Sequence, residues 1–178
     1  MENETPVRFR GKELLYDCIQ ATIVDISVVD FRHKKVSDVP QWNRFTIAFN
    51  IQFSDNRQLF IESDEYPLDP PSIETIGLLN DLVIRHWDNG PMYGWRSIVS
   101  TLPQFDMTIV SCGAIICPEA GDFKREDQCI MALFFNFVSD YSFAFLTSDY
   151  PAWTDLVYDQ CEIEKLRCEY ADYYREIC

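Results

Sequence analysis

The chain has 178 residues, 47% of them hydrophobic and 15% aromatic, and a formal net charge of −14. That composition excludes an intrinsically disordered chain, and no run reaches the ~18 apolar residues that a membrane-spanning helix needs. The length suits a single domain over 1–178, with 1–12 as a mobile lead-in.

The first residues, Met-Glu-Asn-Glu-Thr-Pro-Val-Arg-Phe-Arg, lack the apolar core of a signal peptide, so a cytoplasmic protein is expected. A helical entry over 13–18 leads into a β-branched run over 18–31. There Ile19, Ala21 and Ile23 share one parity, and Val24, Ile26 and Val28 the other. A change of phase inside a strand predicts a bulge or a sharp bend. After a loop over 32–43, Phe45, Ile47, Phe49, Ile51 and Phe53 alternate with Thr46, Ala48, Asn50 and Gln52. Period two over nine residues predicts a strand with one face in the core. Residues 54–57 are turn chemistry, and Leu59, Phe60 and Ile61 return as a partner strand.

Residues 62–71 read as an acidic loop punctuated by prolines. Ser72 is then placed to cap a helix through Trp87, with Ile73, Ile76, Leu79, Leu82 (or Val83) and His86 near helical spacing. An aromatic loop follows at 92–95, then a strand over 107–117 interrupted at Gly113, and a charged loop over 118–127. The run over 129–148 holds two Phe-rich stretches around Ser-Asp-Tyr-Ser, the pattern of a β-hairpin. Its first strand is apolar on both faces, which requires cover from both sides by a helix, a second sheet or a partner. Residues 151–178 read as the longest helix, capped by Ser148 or Asp149 with Pro151 in its first turn. Asp159 interrupts its apolar stripe of Leu156, Ile163, Leu166, Tyr170, Tyr173 and Ile177. The sum is an α+β fold: an antiparallel or mixed sheet of about six strands, with a middle helix and a long C-terminal helix packed on it.

Chemistry-bearing motifs are scarce. The seven cysteines, Cys18, Cys112, Cys117, Cys129, Cys161, Cys168 and Cys178, are odd in number and lack zinc-site spacing. They read as buried reduced thiols, and neither a metal nor a cofactor is expected. Only two histidines occur, His33 and His86, and a nucleophile elbow, a phosphate loop and a dinucleotide fingerprint are missing. No catalytic residue is assigned.

Charge is the informative feature. Residues 1–44 carry seven acidic and seven basic side chains, whereas 45–178 carry twenty-two acidic and eight basic. Such a surface repels nucleic-acid phosphates and attracts a basic protein partner. Wound at 100° per residue, the last helix places Tyr158, Glu162, Lys165, Glu169, Asp172 and Glu176 on one face, with Asp155 at its edge and Trp153 just before it. Carboxylates interleaved with aromatic rings combine charge for steering with rigid anchors for contact. A secondary candidate surface comprises Glu62, Asp64 and Glu65 with Trp87, Tyr93 and Trp95.

The expected function is therefore an acidic cytoplasmic protein that binds and neutralises or masks a basic protein. Immunity proteins and phage-encoded inhibitors share this composition, an analogy that carries no fold. One alternative is an accessory subunit that self-associates through its sheet, and so a homo-oligomer. The other is an enzyme or small-ligand binder with a pocket between sheet and helix.

Overall fold

The structure, a computed structural model, describes residues 7–9, 11–30, 46–67, 78–86, 95–116, 129–148 and 153–178. In chain order the elements are α1 (Lys12–Cys18), β1 (Ile23–Asp30), β2 (Thr46–Phe53), β3 (Gln58–Pro67), β4 (Leu78–His86), β5 (Arg96–Ser97), β6 (Ile109–Ile116), β7 (Ile130–Phe137), β8 (Ser142–Ser148), β9 (Trp153–Val157), α2 (Gln160–Glu169) and β10 (Tyr174–Glu176). A 3₁₀ turn at Val99–Thr101 follows β5.

The strands form two five-stranded sheets, ordered β4-β3-β2-β1-β5 and β10-β6-β7-β8-β9. Every strand pair is antiparallel. An antiparallel α+β fold is thus present, but two sheets replace the single sheet of about six strands. The inner faces share one apolar core, where Ile26, Phe49, Ile51 and Ile61 of the first sheet meet Ile109, Leu133, Phe135 and Phe145 of the second. Phe49 and Phe145 meet edge to face across it, with ring centroids 5.1 Å apart. The sheets are also tied at one corner. Gln20 N–H donates to the Ile109 carbonyl at 2.9 Å, and Ile109 N–H to the Ala21 carbonyl at 3.0 Å. The stretch expected as a lead-in over 1–12 reaches this core at Phe9, which is buried.

Several local readings hold. The phase change near Val24 is a register shift between Ile23 and Asp25 in the β1–β2 ladder. It lets Ile23 and Ile26 both reach the core while Val24 faces outward. The β2–β3 turn works without glycine because Asn56 takes φ 68°, a left-handed value that asparagine tolerates. The Phe-rich hairpin is β7–β8, turned through Asp140 at φ 62°. Both its faces are covered within the chain. Leu133, Phe135 and Phe137 enter the inter-sheet core, while Ala132, Phe134 and Ala144 pack beneath Ile163, Leu166 and Tyr170.

Three expectations are overturned. The middle helix over 72–87 is excluded from Leu78 onward, because β4 pairs with β3 from Leu78↔Pro67 to His86↔Leu59. Residues 72–77 lie outside the described residues. A run such as Leu-Leu-Asn-Asp-Leu-Val-Ile serves either period, and the neighbouring strand decides in favour of the ladder. The acidic loop over 62–71 is strand as far as Pro67 for the same reason. The long helix over 151–178 is three elements: edge strand β9, the ten-residue α2 and edge strand β10. Its supposed stripe divides between the two faces of the second sheet. Ile163, Leu166 and Tyr170 seat α2 on the outer face, whereas Leu156 and Ile177 join the inner core. Asp159 is the N-cap of α2, its carboxylate accepting from Glu162 N–H at 3.1 Å. Chain leaving a strand and entering a helix leaves amide donors without partners, and an aspartate there satisfies one. No helix among the described residues is long and apolar enough to cross a membrane.

Candidate functional site

The outer face of the second sheet is organised in cross-strand rows. Ile115, Ala132 and Leu146 are aligned, and beside them Gly113, Phe134 and Ala144. These rows are apolar and lie under α2. Gly113 is required by close approach: a Cβ there would lie 2.2 Å from the Tyr174 hydroxyl oxygen, so its bare backbone leaves room for the ring. The next row, Ser111, Asn136 and Ser142, is polar.

That row is fully linked. Asn136 Nδ2 donates to Ser111 Oγ at 2.8 Å, and Ser142 Oγ donates to Asn136 Oδ1 at 2.8 Å. Arg167 of α2 reaches down onto it, donating from one terminal nitrogen to Asn136 Oδ1 at 2.5 Å and Ser142 Oγ at 3.2 Å. Its other terminal nitrogen pairs with Glu164 at 2.7 Å. The guanidinium also lies over the rings of Phe134 and Tyr174, at 5.3 and 5.8 Å from their centroids. Its Nε is buried without a hydrogen-bond partner. Gln160 completes the seat. Its side-chain amide accepts from Ser142 N–H at 2.9 Å and donates to the Ser142 carbonyl at 3.0 Å, standing in for the next strand of the ladder. Beside this network, among β6, the β7–β8 turn, α2 and β10, lies an open pocket of about 400 Å³. Asp140, Tyr141, Tyr174 and Glu176 also line it.

The predicted partner-binding residues all belong to the segment that crosses this face, but not to one helix. Trp153 and Asp155 are on β9, Tyr158 on the connection, Glu162 and Glu169 on α2, Asp172 in the turn beyond it and Glu176 on β10. Because β9 and β10 are opposite edges of the sheet, the set spans four strand spacings, about 19 Å. Asp155, Tyr158, Glu162, Glu169, Asp172 and Glu176 are exposed, as are Glu164 and Tyr173. Partial desolvation holds the Asp155 carboxyl above its ordinary range. The segment that carries them is two edge strands and a short helix where a single helix was expected. A pocket between sheet and helix was expected only as an alternative, with no lining residues assigned to it. Its one local signal is Asn136, a carboxamide inside a run otherwise apolar from Cys129 to Val138.

The secondary surface is described only in part. Glu62, Asp64 and Glu65 sit on β3 opposite Val83, Asp81 and Asn80 rather than in a loop. Trp87 and Tyr93 lie outside the described residues. Trp95 packs edge to face on Phe60 at 5.7 Å.

The thiols divide by environment. Cys18, Cys112 and Cys129 are buried, whereas Cys161 and Cys168 are exposed on α2, so the expectation of uniformly buried thiols fails there. Burial pushes the Cys18 thiol up to about 12. The Cys112 thiol, hydrogen-bonded to Cys178, is raised, and the same contact lowers Cys178. Their backbones are joined as well, Cys112 N–H donating to the Cys178 carbonyl at 2.7 Å. No group of side chains among the described residues is arranged to hold a metal ion.

No protein family, no curated protein and no solved structure matches this chain.

Proposed function

We propose that the protein is an acidic binding protein that neutralises or masks a basic protein partner, docking it on the face formed by β9, α2 and β10. One observation carries this reading. Residues 153–178 hold seven carboxylates against three basic side chains, and two of those three are engaged within the chain. Arg167 is tied to Glu164, Asn136 and Ser142, and Arg175 donates to the Asp172 and Tyr174 carbonyls at 2.8 and 2.7 Å. The carboxylates of Glu162, Glu169, Asp172 and Glu176 are left facing solvent, with Tyr158 and Tyr173 exposed beside them. A surface of this kind steers a cation-rich partner from a distance and then offers rings for contact. An immunity-type or phage-type inhibitor acting in the cytoplasm fits this mode of action.

The test is capture of partners from lysate at low and at high salt, followed by association kinetics with the captured protein. Replacing Glu162, Glu169 and Asp172 together by Lys is expected to slow association about tenfold or more at low salt and to flatten its salt dependence. An unchanged on-rate removes this face from the function.

A further inference from the structure

We infer that Cys178 and Cys112 form an oxidation site, at which a hydroperoxide oxidises Cys178 and Cys112 resolves it into a disulfide. This goes beyond the binding reading and does not depend on it.

The backbone sets the two thiols face to face. Just beyond β10, Ile177 N–H and Cys178 N–H both donate to the Cys112 carbonyl, at 2.8 and 3.4 Å. Cys112 N–H donates in return to the Cys178 carbonyl at 2.7 Å. Two residues opposite one is a β-bulge, and it changes which way the side chains point. In a regular strand Ile177 and Cys178 would face opposite sides of the sheet, yet here both pack on the inner core. Cys112 belongs to that same core, and the two thiols are hydrogen-bonded to each other. Antiparallel residues that exchange both backbone bonds stand about 5.5 Å apart at Cα. Disulfides span ~4.4–6.8 Å between Cα atoms, so the pair can close without moving a strand.

The two sulfurs are unequal. Cys178 is half-buried and within reach of a small oxidant, whereas Cys112 is fully buried. The Cys112 thiol donates to Cys178 and holds it below the ordinary thiol range, helped by a backbone bond from Cys112 and the charge of Lys12 on α1. Burial and Glu176 act against this lowering. Cys18 is the third thiol of this corner. Its Sγ donates to the Leu14 carbonyl at 3.2 Å and burial pushes it up to about 12, so it stays a protonated bystander.

The chemistry balances. The Cys178 thiolate attacks the outer oxygen of the peroxide: an S–O bond forms, the O–O bond breaks and sulfur gives up two electrons. The departing alkoxide takes up the proton that the thiol had released. The Cys112 sulfur then attacks the sulfenic sulfur: an S–S bond forms, the S–O bond breaks, and hydroxide leaves as water with the Cys112 proton. Two thiols and a hydroperoxide become a disulfide, an alcohol and water. The product bolts β10, which carries Tyr174 and Glu176, to β6.

The experiment treats the reduced full chain with a few equivalents of hydrogen peroxide, blocks free thiols and maps the cysteine peptides by mass spectrometry. A Cys112–Cys178 link that dithiothreitol reverses is expected as the main product. Two variants separate the roles of Cys112. Cys112→Ala removes both hydrogen-bond donor and resolving sulfur, so dimedone should capture a sulfenic acid at Cys178. Iodoacetamide alkylation of Cys178 at neutral pH should slow about threefold or more. Cys112→Ser keeps a donor but cannot resolve, so dimedone capture persists and alkylation returns toward the parent rate. The map of the parent protein needs neither variant to fold. A link from Cys178 to Cys18 or to a second copy overturns the inference. So does oxidation of Cys161 and Cys168 with Cys178 untouched, or one alkylation rate in all three proteins.

Discussion

On the inner face of the second sheet, Leu133, Phe135, Phe143 and Phe145 are fully buried against the first sheet. On the outer face the same strands turn over Ala132, Phe134 and Asn136, and a ten-residue helix provides the cover. The inner contact is wide and apolar. Its rings meet edge to face, Phe135 with Phe145 at 5.7 Å and Phe137 with Phe143 at 5.0 Å. The outer contact is narrow, with Ile163 the one fully buried residue of α2. It gains its geometry from a charged side chain threaded onto a row of hydroxyls and one carboxamide. Apolar area holds the sheets together, while directional bonds position the helix and leave polar groups at the pocket beside it.

This contrast predicts unequal responses to substitution. Phe135→Ala opens a cavity in the buried ring cluster and is expected to cost about 3–5 kcal/mol. A urea titration with a lowered midpoint and unchanged slope measures it. On the outer face, Arg167→Met retains much of the aliphatic stem and loses the charge-assisted bonds to Asn136 and Ser142. The expected cost is about 1–3 kcal/mol, detected as a smaller midpoint shift together with loss of amide protection confined to α2. If Arg167→Met costs as much as Phe135→Ala and exposes β7 amides equally, the two faces are one cooperative unit and the distinction fails.

The same contrast explains what was legible beforehand. Strict alternation over 45–53 and the twin Phe runs over 129–148 are repeated local signals, and both are strands where expected. The switch of parity near Val24 is a bulge because burying Ile23 and Ile26 on one side of a pleat demands an extra residue between them. The segment over 151–178 misled for a physical reason. Leu156, Ile163 and Ile177 are apolar because they face buried surfaces, yet those surfaces lie on opposite sides of a sheet, which no single helix could reach. The polar row was hidden by distance along the chain: Arg167 meets Asn136 across 31 residues, and Ser111 meets it across 25. Each is unremarkable in its own window, and only strand register brings them into one line.

Asp159 gives the smallest and sharpest check on how α2 is held. In an unbroken helix it would be a charge in the apolar stripe and its removal would stabilise. As the N-cap, bonded to Glu162 N–H at 3.1 Å, its removal should destabilise. Asp159→Ala is therefore expected to cost about 1 kcal/mol, and Asp159→Ser to recover most of it, since a hydroxyl can accept the same bond. Hydrogen exchange at the Glu162 amide reads the effect directly: protection should fall by about fivefold for Ala and stay near the parent value for Ser. Because Ile163 still anchors the helix on Phe134 and Ala144, the fraying should stop within the first turn and leave the Arg167 contacts intact. Equal protection in parent and Ala variant would mean that apolar seating alone defines where the helix begins, and the directional account of the outer face would lose its N-terminal half.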